Sequence, residues 1–140
     1  MYDRVLVPTD GSDHAARGVD YGLDLAAETD AELHVLFVVD ESVYGTTPAL
    51  SSYEAFLEDL EEQAEDIAED AMEEATERGI ETTVSVRRGI PHDTICHYAD
   101  QADIDVIVMG KRGAAGVKAP HLGSVTNRVL RQSSVPVVPV

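Results

Sequence analysis

Apolar residues along this chain follow two patterns, and each pattern predicts a different kind of element. Short continuous apolar runs such as Val5-Leu6-Val7 and Val106-Ile107-Val108-Met109 are typical of strands buried on both faces of a parallel sheet. Between these runs, apolar residues recur every three or four positions, which is typical of helices that bury one face. The pattern predicts five strands, at roughly 5–7, 33–39, 82–87, 106–109 and 135–140, and four helices, at roughly 13–28, 53–78, 93–101 and 124–132.

The strict alternation of strand and helix indicates an α/β protein with a doubly wound parallel sheet, formed as one domain over residues 1–140. In such sheets, ligands bind beyond the carboxyl ends of the strands, where the strand order reverses. The first strand ends at Pro8-Thr9-Asp10, and the fourth ends at Met109-Gly110. If these strands are neighbours, both segments meet the same ligand.

The second helix is predicted to be the longest element, running from Tyr53 to Arg78 and stopping at Gly79. Its acidic residues would form a solvated face. Its predicted apolar face consists of residues spaced by three or four: Phe56, Leu60, Ala64, Ile67, Ala71 and Ala75.

The overall charge limits the classes of partner. The chain carries 10 basic and 27 acidic side chains, a net charge of −17, which argues against binding to DNA or RNA. It contains no apolar run near the ~20 residues that span a bilayer and no signal-peptide pattern, so we expect a cytoplasmic protein without a membrane partner. Abundant Asp and Glu with scarce Lys suggest adaptation to high salt.

The charge is also unevenly distributed along the chain. Residues 1–105 contain all 27 acidic side chains and five basic ones, whereas residues 106–140 contain five basic side chains and no acid. An anionic ligand would therefore be attracted to the last quarter of the chain and repelled elsewhere.

That same region contains the most informative motif, Gly110-Lys111-Arg112-Gly113, then nine residues, then Gly123-Ser124-Val125-Thr126. It lies between a predicted strand and a predicted helix. Glycine lets the backbone approach a bulky anion, and a helix N-terminus offers free N–H groups. Together these features predict a phosphate site and so a nucleotide-binding protein. The run lacks the lysine of a Walker A loop.

The whole chain resembles the universal stress protein family, and the glycine spacing matches the ATP-binding signature of that family. The resemblance implies a Rossmann-like fold of the adenine nucleotide α hydrolase type, with strand order 3-2-1-4-5. Further matching segments are Val5-Leu6-Val7-Pro8-Thr9-Asp10-Gly11-Ser12, His34-Val35-Leu36-Phe37-Val38-Val39-Asp40, Gly89-Ile90-Pro91-His92, Asp105-Val106-Ile107-Val108-Met109-Gly110 and Ser134-Val135-Pro136-Val137.

The resemblance also implies a set of nucleotide-binding residues and no catalytic residue. Pro8, Thr9 and Asp10 match the nucleoside and metal-phosphate region, which makes Asp10 the candidate contact to Mg²⁺ carried by the nucleotide. Val38 matches a position whose backbone contacts adenine. The ribose and phosphate set comprises Met109, Gly110, Gly113, Gly123, Ser124, Val125 and Thr126, and Lys111 or Arg112 would add positive charge.

Several alternatives remain at individual residues. Asp10 could close an Asx-turn or be the phosphorylated aspartate of a receiver domain, although the acidic cluster of such domains is missing here. Ser12 is better explained as a helix cap than as a nucleophile. Cys96 is expected in the core, and the histidines show no zinc-ligand spacing.

The leading functional hypothesis is a stress-response regulatory module that binds ATP, or AMP or another adenine nucleotide, and is not primarily an enzyme. A slow ATPase or nucleotide phosphohydrolase is the alternative, and a scaffold that has lost its nucleotide is a third. The resemblance implies a homodimer that pairs its last strands. Pro139 departs from that pattern because proline lacks the N–H needed for strand pairing.

Overall fold

The computed structural model describes residues 2–11, 13–40, 50–111 and 124–140. Strands and helices alternate in these segments, as predicted. The elements, in chain order, are β1 (Arg4–Thr9), α1 (Asp13–Thr29), β2 (Glu32–Asp40), α2 (Leu50–Glu77), β3 (Thr82–Gly89), α3 (Pro91–Gln101), β4 (Val106–Met109), α4 (Ser124–Gln132) and β5 (Val137–Pro139).

The five strands form one sheet with the order β3-β2-β1-β4-β5, and every pair is parallel. This confirms the predicted fold class and strand order. Central Val5 is level with Leu33 of β2 on one side and Val106 of β4 on the other. The connections run outward from β1 to β3, return across the sheet to β4 and then run to β5. The strand order therefore reverses between β1 and β4.

The helices cover the two faces of the sheet in pairs. Along β1, Val5 and Val7 pack with Leu23, Ala71 and other residues of α1 and α2, whereas Leu6 packs with the α3 and α4 side. This alternation follows from the two-residue period of a strand. All three β1 residues are completely buried, so β1 is the centre of the hydrophobic core.

Helix α2 buries a slightly different face from the one its pattern predicts. Leu57 and Ala68 are buried, whereas Phe56 and Ile67 are 43% and 37% exposed. Ala64, Ala71 and Ala75 are buried as predicted. The helix contacts the sheet through Leu57 and several alanines, and the side chains of Phe56 and Ile67 at its margin remain partly in solvent. It ends before Gly79, whose φ of +70° favours glycine.

Proline 139 lies on the last strand without interrupting its pairing to β4. Pro139 is level with Met109, and the neighbouring Val140 N–H donates to the Met109 carbonyl at 2.9 Å. Because alternate residues of a strand direct their N–H groups to opposite sides, the Pro139 nitrogen faces the open edge of β5. Proline therefore removes a donor from that edge and none from the β4–β5 ladder.

At the other end of the sheet, Asp105 holds the start of β1 against the start of β4. Its Oδ2 accepts hydrogen bonds from the backbone N–H groups of Asp3 and Arg4, both at 2.8 Å. We expect Asp105→Ala to cost about 2 kcal/mol of unfolding free energy, because it leaves two donors without their charged acceptor. Denaturant melts would measure this loss. Asp105→Asn, which keeps an oxygen acceptor, should lose less, and equal stability of wild type and Asp105→Ala would contradict the assignment.

Candidate functional site

The carboxyl ends of β1 and β4 lie side by side, and α4 begins beside them. The paired strands place Thr9 and Asp10 next to the segment from Met109 to Gly110. The N-terminal residues of α4 adjoin Gly110 through a direct hydrogen bond, described below. The reversal of strand order therefore creates one crevice from three segments that are distant in sequence.

The turn after β1 presents Asp10 at the surface. Thr9 is buried, and its Oγ1 accepts a hydrogen bond from the Gly11 N–H at 3.1 Å. Gly11 has a φ of +81°, a conformation that other residues adopt at a cost. The turn thus fixes the backbone on both sides of Asp10, which is exposed beyond the strand end.

Val38 of β2 completes the β1 side of the crevice. Thr9 is level with Phe37, so Val38 lies one position further along, level with Asp10. Val38 itself is buried and packs with the core on the α3 and α4 side. Its side chain therefore belongs to the core, and the adenine contact that the resemblance implies for the Val38 backbone stays a prediction.

On the β4 side, the backbone continues in register past the end of the strand. The Lys111 N–H donates to the Val140 carbonyl at 2.8 Å. Met109 and Gly110 are buried, whereas Lys111 is exposed. β5 thus holds the exit of β4 in place, and Lys111 is the first side chain beyond it that can carry charge to a ligand.

Helix α4 begins with three candidate residues that differ in their surroundings. Ser124 is exposed at the first position, and Val125 is half-buried against the core. Thr126 is 3% exposed, and its hydroxyl donates to the Gly110 carbonyl at 2.8 Å. Ser124 is placed to contact a ligand, whereas Thr126 joins the start of α4 to the end of β4.

Gly18 of α1 also lies in this region, although it is not among the site residues predicted from the sequence. A Cβ at Gly18 would lie 3.0 Å from Gly110 N and 3.3 Å from both Met109 Cα and Met109 C. One turn later, a Cβ at Gly22 would lie 2.3 Å from Val7 Cγ2. The spacing of four residues between two helical glycines is the feature that could have indicated this close approach.

The structure thus brings together nine of the predicted residues at or next to the crevice and places Thr126 directly behind it. The nine are Pro8, Thr9, Asp10, Val38, Met109, Gly110, Lys111, Ser124 and Val125. The remaining candidates, Arg112, Gly113 and Gly123, lie outside the described residues.

Charge divides the molecule between its two helical layers. The sequences of α1 and α2 contain sixteen carboxylates and one arginine, and we call these two helices the acidic layer. The sequences of α3 and α4 contain two carboxylates and two arginines. The helical layer formed by α3 and α4 therefore repels an anion less than the acidic layer does.

His34 is a buried titratable residue with structural partners outside the crevice. His34 lies near the start of β2, and its Nδ1 is 2.7 Å from the Tyr98 hydroxyl oxygen. Its Nε2 lies 3.1 Å from Glu32 Oε1, an ion-pair distance without hydrogen-bond alignment. The Tyr98 contact joins β2 to α3, and the Glu32 contact lies at the start of β2, at the end of the sheet opposite the crevice.

Two groups outside the crevice have shifted pKa values. Burial raises the pKa of the Cys96 thiol, and the nearby carboxylates of Asp100 and Asp93 add to the effect. Cys96 is thus a core thiol rather than a nucleophile. Hydrogen bonding to Glu61 is the main cause that raises the pKa of Arg88, which ties β3 to α2.

The two cavities described below are not lined by residues of β4 or α4. Among the described residues, one cavity of about 310 Å³ lies at the opposite end of the sheet and includes Asp30, Arg78 and Glu81 in its lining. A second cavity, of about 180 Å³, lies between α1 and α2 beside Gly11.

The described segments contain no group of three His, Cys, Asp or Glu side chains arranged to hold a metal. They also contain no helix with the length and apolar composition needed to cross a membrane.

Known proteins resemble this chain over its whole length. A sequence model of the universal stress protein family matches residues 1–140. Universal stress protein MJ0531 of Methanocaldococcus jannaschii is 33% identical over 140 residues, which cover 100% of this chain and 82% of that protein.

Solved structures support the same relationship. The universal stress protein UspA from Lactobacillus plantarum superimposes with a TM-score of 0.92 at 30% identity, covering 99% of this chain and 97% of that chain. A universal stress protein in complex with cAMP superimposes with a TM-score of 0.72 at 26% identity, covering 99% of this chain and 96% of that chain. The similarity therefore covers nearly the whole chain and its α/β fold.

Proposed function

Because this chain belongs to the universal stress protein family, we propose that it binds ATP in the crevice between β1 and β4 and acts as a stress-response regulatory module. The observation that carries the proposal is the meeting of three segments at the strand-order reversal. These segments are the Thr9–Gly11 turn, the Met109–Gly110 exit and the first turn of α4. Binding would shift a conformational or assembly equilibrium.

The chemistry of the three segments suits an adenine nucleotide. The first N–H groups of α4 have no partner within the helix and favour a phosphate, and the exposed Ser124 can add a hydroxyl donor. Lys111 is exposed nearby. The Val38 backbone lies level with Asp10, which is the position proposed for adenine contact. The similar protein solved with cAMP gives independent support for this ligand class.

Magnesium would enter with the nucleotide in this proposal. Mg²⁺ is commonly held by nucleotide phosphates and one or two carboxylates rather than by a complete protein cage. Asp10 is the exposed carboxylate at the crevice and would be that ligand.

Calorimetric titration with ATP and Mg²⁺ tests the proposal. We expect saturable binding at or below millimolar ATP and no binding of inorganic phosphate at the same concentration. Competition with AMP, cAMP and GTP would define which nucleotide is preferred. Lack of ATP binding at several millimolar, by a protein that melts cooperatively, would overturn the proposal.

Slow hydrolysis is the second candidate activity, because the exposed Asp10 carboxylate lies where a metal-phosphate group would bind. Under the leading proposal, phosphate release is very slow and is the same for wild type and Asp10→Ala at saturating nucleotide. A loss of at least about tenfold in Asp10→Ala, reproduced in independent preparations, would instead establish an enzyme. Asp10→Asn keeps the size of the side chain and removes its charge, so comparing it with Asp10→Ala separates the effect of the charge from the effect of size.

The proposal also covers the oligomeric state of the protein and its location in the cell. We expect a cytoplasmic homodimer. Pro139 removes a hydrogen-bond donor from the open edge of β5, which disfavours a dimer that pairs its last strands. Light scattering on the purified protein measures the oligomeric state, and a monomer at tens of micromolar would refute the dimer.

A further inference from the structure

The backbone of Gly110 is approached closely by α1. Gly18 is buried, and the space that a side chain would occupy there is taken by Gly110 N at 3.0 Å and by Met109 Cα and C at 3.3 Å. These are backbone atoms, which cannot rotate away as the end of a side chain can. α1 therefore limits the position of the β4 exit from one side of the sheet.

The same residue is held from the other side of the sheet by α4. The Thr126 hydroxyl donates to the Gly110 carbonyl at 2.8 Å, and the donor is almost completely buried. Hydrogen bonds in such surroundings are strong, because water does not compete for either group. Gly110 is thus held at two points. Its nitrogen packs against Gly18 of α1, and its carbonyl accepts the hydrogen bond from Thr126 of α4.

We propose that Gly18 and Thr126 are positioning residues for nucleotide binding, acting through the backbone of Gly110. This inference rests on the proposed function. Gly110 directly follows β4 and is the first residue of the glycine-rich motif, and Thr126 fixes the first turn of α4 relative to it. A small displacement of Gly110 would therefore misalign the two segments that would hold the phosphates. Neither residue needs to touch the nucleotide for this effect.

Gly22 provides a matched control on the same helix. An alanine Cβ there would lie 2.3 Å from Val7 Cγ2, a tighter clash than at Gly18. Val7, however, is a fully buried side chain within β1, and its clash involves no atom of the β4 exit. Gly22→Ala therefore introduces crowding under α1 without crowding Gly110.

The two alanine variants should affect different quantities. We expect Gly18→Ala to raise the Kd for ATP by about tenfold, the effect of weakening one hydrogen bond to a charged phosphate. Its melting temperature should change by only a few degrees, because alanine favours the helix and offsets part of the crowding. Gly22→Ala should lower the melting temperature by about 5–10 °C and change the Kd by less than about twofold.

A second pair of variants tests the hydroxyl of Thr126. Thr126→Val keeps the shape of the side chain and removes the donor, whereas Thr126→Ser keeps the donor. We expect Thr126→Val to raise the Kd by about five- to tenfold and Thr126→Ser to remain within about twofold of wild type. All titrations are made at a temperature at which each variant is fully folded by circular dichroism.

The outcomes separate this inference from the function on which it rests. If the wild type does not bind ATP, the proposed function fails. If the wild type binds and Gly18→Ala and Thr126→Val bind equally well, the positioning roles are wrong. The same conclusion follows if Gly22→Ala loses as much affinity as Gly18→Ala, because a general loosening of α1 would then explain both.

Discussion

Replacing Ser124 with aspartate should weaken ATP binding by at least about 100-fold and should leave the melting temperature unchanged or slightly higher. The new carboxylate would stand at the exposed start of α4, where the proposed phosphates bind. Like charges about 4 Å apart near a protein surface repel with an energy on the order of 4 kcal/mol, before screening by salt. The same carboxylate interacts favourably with the helix dipole, so binding and stability should change in opposite directions.

Two controls define the cause of this effect. Ser124→Asn has a side chain of the same shape without the charge, and it should bind ATP within about tenfold of wild type. Ser134→Asp places the charge beyond the other end of α4, where the Ser134 hydroxyl donates to Asp100, so it should lower the melting temperature slightly and leave the Kd unchanged. ATP binding by Ser124→Asp at wild-type affinity would exclude the N-terminus of α4 from the phosphate site.

Potassium chloride should raise the melting temperature by about 10 °C or more between 0.1 and 2 M. The sequence of α2 has twelve carboxylates and no basic residue, and nine pairs of these carboxylates are four positions apart. Each such pair costs a few tenths of a kcal/mol at low ionic strength, about 2–4 kcal/mol in all, and salt screens this repulsion. For a chain of this size, that energy corresponds to roughly 10 °C.

A charge variant isolates this repulsion from the general effect of salt on apolar burial. Glu58, Glu65, Glu69 and Glu73 are exposed on α2 and can be replaced together by glutamine. The variant should melt several degrees above wild type at 0.1 M KCl and should depend less on KCl. If wild type and variant respond equally to KCl, or if the wild type does not respond, the acidic layer does not limit stability.

The order of the elements and the strand order could be predicted from the sequence because the local patterns and the global topology agree. Val5-Leu6-Val7 and Val106-Ile107-Val108-Met109 are continuous apolar runs, which a strand buried on both faces requires. The resemblance then supplied the order in which the strands pair. Both sides of the crevice follow from that order, since β1 and β4 are neighbours.

Finer features could not be predicted because they depend on how closely the layers approach. Periodicity places Phe56 and Ile67 on the buried face of α2, yet alanines contact the sheet and leave both partly exposed. The four-residue spacing of Gly18 and Gly22 is compatible with a close approach of α1 to the sheet, but it does not identify Gly110 as the residue that Gly18 contacts. Thr126 matches a phosphate-binding motif by spacing, whereas its buried hydroxyl donates to Gly110.

The position of β1 at the centre of the sheet has a consequence for how the chain folds. β2 follows β1 after a single helix, whereas the other neighbour of β1 is β4, about a hundred residues later in the sequence. β1, β2 and β3 can therefore associate while one side of β1, next to the completely apolar Val5-Leu6-Val7, still lacks its partner. Unpaired apolar edges promote aggregation of partly folded chains. During synthesis of the chain, this edge of β1 is therefore exposed until β4 has been made and pairs with it.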